Sequence, residues 1–136
     1  MSRTEITSRG IIIKDGKILL MHRRKNGQEY FVLPGGGIED GETPKEAVHR
    51  EVFEETGLKI LKVNSEFSFL DVNGKKCHVF YLEIEEGKPT LIGEEKEINN
   101  ELDWYNPEWF DISIIKQPNV YPVSARQRLL KDLKLS

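Results

Sequence analysis

The stretch at residues 36–58, GGIEDGETPKEAVHREVFEETGL, constrains this chain more than any other, because it reads as a glycine loop running into a helix with both ends marked. Thr43 suits the N-cap, Pro44 the first helical position, and Glu46 stands three residues past the cap. Thr-x-x-Glu is a capping box, and a proline at the first position gives up only a hydrogen bond that the helix never makes. Gly57 can adopt the left-handed conformation just past the last turn. Within the helix the acids fall on an unusual arc. At about 100° per residue, with Ala47 at zero, Glu51 lies at roughly 40°, Glu55 at roughly 80°, Val48 at roughly 100° and Val52 at roughly 140°, while Glu54 lies about 20° on the other side of Ala47. A helix charged only for solubility sets its acids opposite its apolar stripe. Here two of the three acids sit among the apolar residues. Crowded carboxylates repel one another and resist desolvation. A divalent cation would remove both costs, and carboxylates with retained waters and substrate phosphates are how proteins usually hold Mg²⁺. The bland alternative is an ordinary solvated acidic face.

The stretch resembles the Nudix box, whose pattern is Gly, five residues, Glu, seven residues, then Arg-Glu-aliphatic-x-Glu-Glu-x-Gly-aliphatic. Gly36, Glu42, Arg50, Glu51, Val52, Glu54, Glu55, Gly57 and Leu58 fill its fixed positions, and the box covers 23 of 136 residues. Nine constrained positions at fixed spacing are far more specific than a lone G-x-G-x-x-G. The lead-in FVLPGG at residues 31–36 is similar to the family's as well. The resemblance implies an α/β fold, an α/β/α sandwich with a mixed β-sheet between helices. It implies cleavage of a diphosphate linked to another group, usually in nucleotide derivatives, with Mg²⁺ or Mn²⁺. By the same resemblance Glu51, Glu54 and Glu55 would carry the metal, helped by the backbone carbonyl of Gly35 or Gly36. Glu54 or a glutamate from a late loop would take a water's proton. Arg50 would orient the carboxylates, since it precedes Glu54 by one helical turn. Glu42 and Glu39 would support the loop. Basic residues near the end of the second strand contact substrate in the family, which singles out Arg23 over His22, Arg24 and Lys25. The late loop offers Glu94, Glu95, Glu97 and Glu101, with Glu97 favoured.

Composition narrows the partners. A chain of 136 residues is about one domain, taken as 1–136, and is long enough to bury a core. Its net charge of −3 is too balanced for a general nucleic-acid binder, so the expected partner is a small nucleotide, bound at a local positive site. Dimerisation is left open. The single cysteine, Cys77, excludes an internal disulfide and reads as a small core or strand residue, and no Cys/His zinc spacing exists. No apolar run follows the N-terminus and none is long enough to span a membrane, so a cytoplasmic location is expected.

In chain order, residues 9–14 and 17–23 read as strands joined by Asp15-Gly16, a type I′ hairpin signal. Their nearly continuous apolar character implies cover on both faces. Residues 29–33 form a third strand, and residues 59–70 a fourth, bulged near Asn64-Ser65. A turn at residues 72–75 leads to a return strand at 76–84. A short strand is expected at 90–92. The aromatic segment 102–110 places Trp109 and Phe110 in the core, with Trp104 or Tyr105 available to stack on a base. Asp111 caps a short helix. A closing helix at 122–133 packs through Val123, Leu129, Leu130 and Leu133, with Ser124 an alternative cap.

Substrate identity is less constrained. No proline follows the box at the spacing of some ADP-ribose hydrolases, and the tyrosine of some dinucleoside polyphosphate hydrolases is absent there. Nucleoside triphosphates, oxidised or not, remain open. The rival class is a sensor that binds a nucleotide or sugar phosphate without cleaving it, yet such relatives usually lose box glutamates, and this chain keeps all of them.

Overall fold

The structure is a computed structural model, and it describes residues 6–90 and 103–135. Glu94, Glu95, Glu97 and Glu101 lie outside the described residues, as does most of the strand expected at 90–92; Thr90 itself is in no strand. The elements run β1 (Thr7–Lys14), β2 (Lys17–Lys25), β3 (Gln28–Val32), β4 (Gly35–Gly37), α1 (Pro44–Thr56), β5 (Ile60–Leu70), β6 (Lys76–Ile84), β7 (Trp104–Asp111), a 3₁₀ turn (Ile112–Lys116), β8 (Val120–Tyr121) and α2 (Val123–Asp132).

Two tight hairpins set the first three strands. Asp15 and Gly16 have φ of 53° and 76°, and Asn26 and Gly27 have 52° and 78°. Positive φ at both central residues is what a type I′ turn requires. The strands form one mixed sheet in the order β5-β6-β1-β2-β3-β8, with β4 added to β1 and β7 to β2. Strand β1 is the pivot. Its first half pairs with β4 antiparallel and β6 parallel, while its last residues pair with β2.

The continuous apolar runs of β1 and β2 are covered on both faces, as expected. Ile11, Ile18 and Leu20 join Phe31, Val79, Ile115 and Leu129 in one core. Ile12 and Leu19 join Val48, Val52 and Phe80 in the other. Helix α2 therefore closes one face and α1 the other, giving the α/β/α sandwich. Strand β5 breaks register at Ile60/Lys62 and Val63/Ser65, near the anticipated bulge. Cys77 is buried on β6, where burial pushes its thiol pKa up.

Three elements differ from the expectations. The glycine loop is itself a short strand, β4. Segment 104–111 is a full strand despite Pro107; among the described residues β7 pairs only with β2, and a strand without a second partner is where a missing N–H is tolerated. The closing helix packs through Ala125 and Leu129, with Leu130 alongside, whereas Val123 and Leu133 are exposed. Ser124 lies inside α2, whose N-cap is Pro122 with no side-chain cap hydrogen bond. Among the described residues, no helix is long and apolar enough to cross a membrane.

Strand β4 tolerates no side chain at Gly35. Its φ is +145°, and a Cβ would meet the Ser8 carbonyl oxygen and come within 2.6 Å of Arg9 Cα, both backbone atoms. Gly35→Ala should therefore lower the unfolding free energy by on the order of 3 kcal/mol, against about 1 kcal/mol for removing the helix cap with Thr43→Ala. Urea denaturation of both variants checks this; a small effect at Gly35 would mean that β4 shifts freely.

Candidate active site

The site is built where α1 crosses β1 and β4. The helix start is fixed by the capping box: Thr43 Oγ1 accepts from the Glu46 N–H at 3.1 Å, and the Glu46 carboxylate accepts from the Thr43 N–H at 2.9 Å. Ser8 Oγ donates to the Pro44 carbonyl at 2.6 Å, tying that end to β1. At the other end Gly57, at φ 71°, donates its N–H to the Phe53 carbonyl. With both ends fixed, Ala47, Val48 and Val52 are fully buried, and the adjoining arc carries Glu51 and Glu55 into the packing, each 3% exposed.

The two buried acids meet β4 differently. Glu51 lies against Gly36, where an added Cβ would stand 2.9 Å from its carboxylate carbon. Glu55 accepts from the Gly35 N–H at 2.8 Å and from the Tyr105 hydroxyl. Burial pushes the Glu55 carboxyl up to about 8, against the downward pull of those two hydrogen bonds. Burial, reinforced by Glu55, holds the Tyr105 phenol well above its ordinary value.

Arg50 gathers the remaining acids. Its Nε and Nη2 donate to Glu42 at 2.7 and 3.0 Å, and its Nη1 to Glu51 at 2.9 Å and to Glu54 at 3.3 Å. Nη2 also donates to the Gly37 carbonyl at 3.2 Å. Glu39 stands 3.7 Å from Nη1. The hydrogen bond to Glu42, above all, raises the guanidinium pKa further. Glu54 is the most open of the three helix acids, with its side chain 40% exposed.

The structure thus brings together Gly36, Arg50, Glu51, Glu54 and Glu55. Among the described residues no group of three or more His, Cys, Asp or Glu side chains converges tightly enough, as placed, to hold a metal ion. Glu51 and Glu54 face Arg50, while Glu55 faces Gly35 and Tyr105. Arg23 stands at the margin, its guanidinium 5.1 Å from the Tyr105 ring centroid, and its Nε is buried with no hydrogen-bond partner among the described residues. Trp104 is elsewhere. It pairs with Arg24 on the opposite face of β2 and meets His22 edge-on. A cavity of about 530 Å³ opens where β1 and β6 part, but none of Glu51, Glu54 and Glu55 lines it.

The sequence offered Tyr105 only as a ring for stacking on a base, and it did not single out Arg9 at all. Tyr105 reaches Glu55 only through the pairing of β7 with β2, and Arg9 donates from β1 to the Leu33 carbonyl at 2.9 Å and lowers the pKa of Glu55 through its charge. Neither carries a local signal.

Removing the cation should expose the strain among these acids. Arg50→Met should cost about 2 kcal/mol, since it leaves Glu51 buried without its cation, at a position only partly screened by solvent. Adding Glu51→Gln in that background should recover part of the loss. Denaturation in EDTA measures both, and a double variant weaker than Arg50→Met alone would contradict this account.

Comparisons with known proteins agree with the fold. A family model described as the NUDIX domain matches residues 5–127. An ADP-ribose pyrophosphatase from Methanocaldococcus jannaschii is 60% identical over 57 residues, covering 41% of this chain and 33% of that protein. An RNA pyrophosphohydrolase from Shewanella sp. (strain MR-7) is 35% identical over 119 residues, covering 85% of this chain and 60% of that protein. The chain therefore spans less than two-thirds of the length of these curated relatives. Among solved structures, a NUDIX hydrolase from Nitrosomonas europaea superimposes with a TM-score of 0.67 at 23% identity, covering 95% of this chain and 87% of that one. A UDP-X diphosphatase superimposes with a TM-score of 0.63 at 26% identity, covering 95% and 62%.

Proposed function

The chain belongs to the Nudix family of hydrolases, and on that premise we propose that residues 1–136 act as one domain, a divalent-metal-dependent pyrophosphohydrolase. Its substrate is a nucleoside diphosphate linked to another moiety: a nucleoside triphosphate, oxidised or not, or a related nucleotide derivative. The observation that carries the reading is the burial of Glu51 and Glu55 against the glycine backbone of β4, with Glu54 open beside them. Structural acids are rarely buried in this way. The names of the relatives, ADP-ribose pyrophosphatase and RNA pyrophosphohydrolase, support the class of reaction without choosing a substrate.

The donor set fits Mg²⁺ or Mn²⁺. Carboxylates are hard oxygen ligands, and at Gly36 the bare backbone and the Glu51 carboxylate share a space that any side chain would fill. Glu51, Glu54 and Glu55, with the Gly36 backbone, would hold the ion. Such an ion supplies neutralisation of phosphate charge and a lowered pKa for water. The chain's own residues do the rest. Arg50 orients Glu51 and Glu54 while anchored on Glu42. Arg23, whose guanidinium lies over the Tyr105 ring, grips a phosphate oxygen. Glu54 accepts the proton of the attacking water on its carboxylate as the new phosphorus–oxygen bond forms and the anhydride bond breaks. Glu97 is the alternative acceptor for that proton.

Release of phosphate or diphosphate from triphosphates, nucleotide sugars, ADP-ribose and dinucleoside polyphosphates, with Mg²⁺ and then EDTA, tests the proposal. Metal-dependent turnover of one class is expected. Silence across the panel, with ligands still raising the melting temperature, would make the protein a sensor. Glu54→Gln should lower kcat by on the order of a hundredfold or more while the melting temperature holds. Arg23→Ala should raise KM more than it lowers kcat; an unchanged KM would remove Arg23 from the phosphate site.

A further inference from the structure

We propose that Tyr30 and Tyr121 form the surface on which the base of the nucleotide substrate stacks. The inference rests on the hydrolase reading above and assigns the residues that recognise the base from the register of the sheet. Arg23 lies opposite Tyr105 on one side and opposite Tyr30 on the other. Residues directly opposite in neighbouring strands share a face. The Tyr105 hydroxyl donates to Glu55, so this is the face on which the helix acids stand. A single row thus runs from Glu55 through Tyr105 and Arg23 to Tyr30.

The row ends on a second aromatic ring. Phe31 pairs with Val120, and both point into the core closed by α2. Their neighbours Tyr30 and Tyr121 therefore turn to the other face, where their rings meet edge-to-face with centroids 5.9 Å apart. In such a pair one ring shows its edge and keeps both faces clear of its partner. Tyr121 is 42% exposed, and the main packing of α1 is on β1, β4, β5 and β7, which leaves this end of the sheet beyond the helix.

Spacing and chemistry agree. Neighbouring strands lie about 4.8 Å apart, so Tyr30 is one spacing from Arg23 and Tyr121 about two. A phosphate held between Arg23 and the helix acids leaves its attached group over the tyrosines. Ring faces stack on any base. Of the two aromatics that the sequence offered for this role, Trp104 faces away with Arg24 and Tyr105 is engaged with Glu55.

The test compares one nucleoside triphosphate that the wild type hydrolyses with inorganic triphosphate as its competitor, the same phosphate chain without a base. Tyr30→Ala and Tyr121→Ala should raise the nucleotide KM relative to the triphosphate Ki by on the order of tenfold. Tyr30→Phe and Tyr121→Phe should keep the ratio, because they keep the ring. A merely structural role would move both constants together, and an unchanged ratio in the alanine variants overturns the proposal. A wild type that hydrolyses no nucleotide refutes the hydrolase reading instead. The ratio is then taken from the Kd values of the same two compounds, where the tenfold change supports base stacking and its absence overturns it.

Discussion

Two carboxylates buried against a strand of glycines are the constraint on which the rest of this structure depends. Removing a charged acid from water is costly unless it is paired or hydrogen-bonded. Glu51 is met by Arg50, and Glu55 by the Gly35 N–H and the Tyr105 hydroxyl. Each partner brings a further requirement. Arg50 is anchored on Glu42, which places the loop before the helix. Gly35 must be bare, because β4 lies against Ser8 and Arg9 of β1, and Gly36 must be bare because Glu51 fills the space beside it. Tyr105 requires β7 to pair with β2 in one register. A fold selected for stability alone would place apolar residues here; local rules broken with such compensation mark a functional site.

The sheet supplies that register by dividing along β1. The start of β1 holds β4, its residues from Thr7 to Ile12 hold β6, and Ile13 and Lys14 turn away to pair with β2. The return of β2 carries Arg23 back towards the glycine strand, with β3 and β7 on its two sides. Gly10 sits in this crowded region, its backbone donating to the Pro34 carbonyl at 2.9 Å, where a side chain would strike Leu82. Loop, helix and strand ends from five distant parts of the sequence are thereby brought to one place.

The features legible in the sequence are local. The capping box, the left-handed Gly57 and the two type I′ turns each depend on a few adjacent residues, and the helical arc of Glu51, Glu54 and Glu55 follows from the period of one helix. The features that were not legible depend on pairing at a distance. Strand β4 looks like a loop until β1 is beside it. Strand β7 is obscured by Pro107, and the Glu55–Tyr105 contact spans fifty positions of the sequence. The face of α2 was only partly legible. Of the expected Val123, Leu129, Leu130 and Leu133, Leu129 and Leu130 pack on the core while Val123 and Leu133 are exposed, and Ala125 takes a buried position that small size had hidden.

The opposite face of β2 explains how the row through Arg23 is kept straight. His22, next to Arg23 but facing away from it, has Nδ1 2.8 Å from Glu108 on β7 and Nε2 2.6 Å from Glu29 on β3. Its ring stacks on Phe31 and meets Trp104 and Phe110 edge-on. One side chain therefore braces both neighbours of β2 at the level where Tyr105 and Tyr30 flank Arg23 on the other face. Alternation along a strand makes this division of labour available to adjacent residues: a polar brace within an aromatic cluster on one side, and an arginine flanked by two tyrosines on the other. The basic run at the end of β2 is thus two structures, not one charge patch: His22 and Arg24 lie on one face, and Arg23 and Lys25 on the face of the α1 acids.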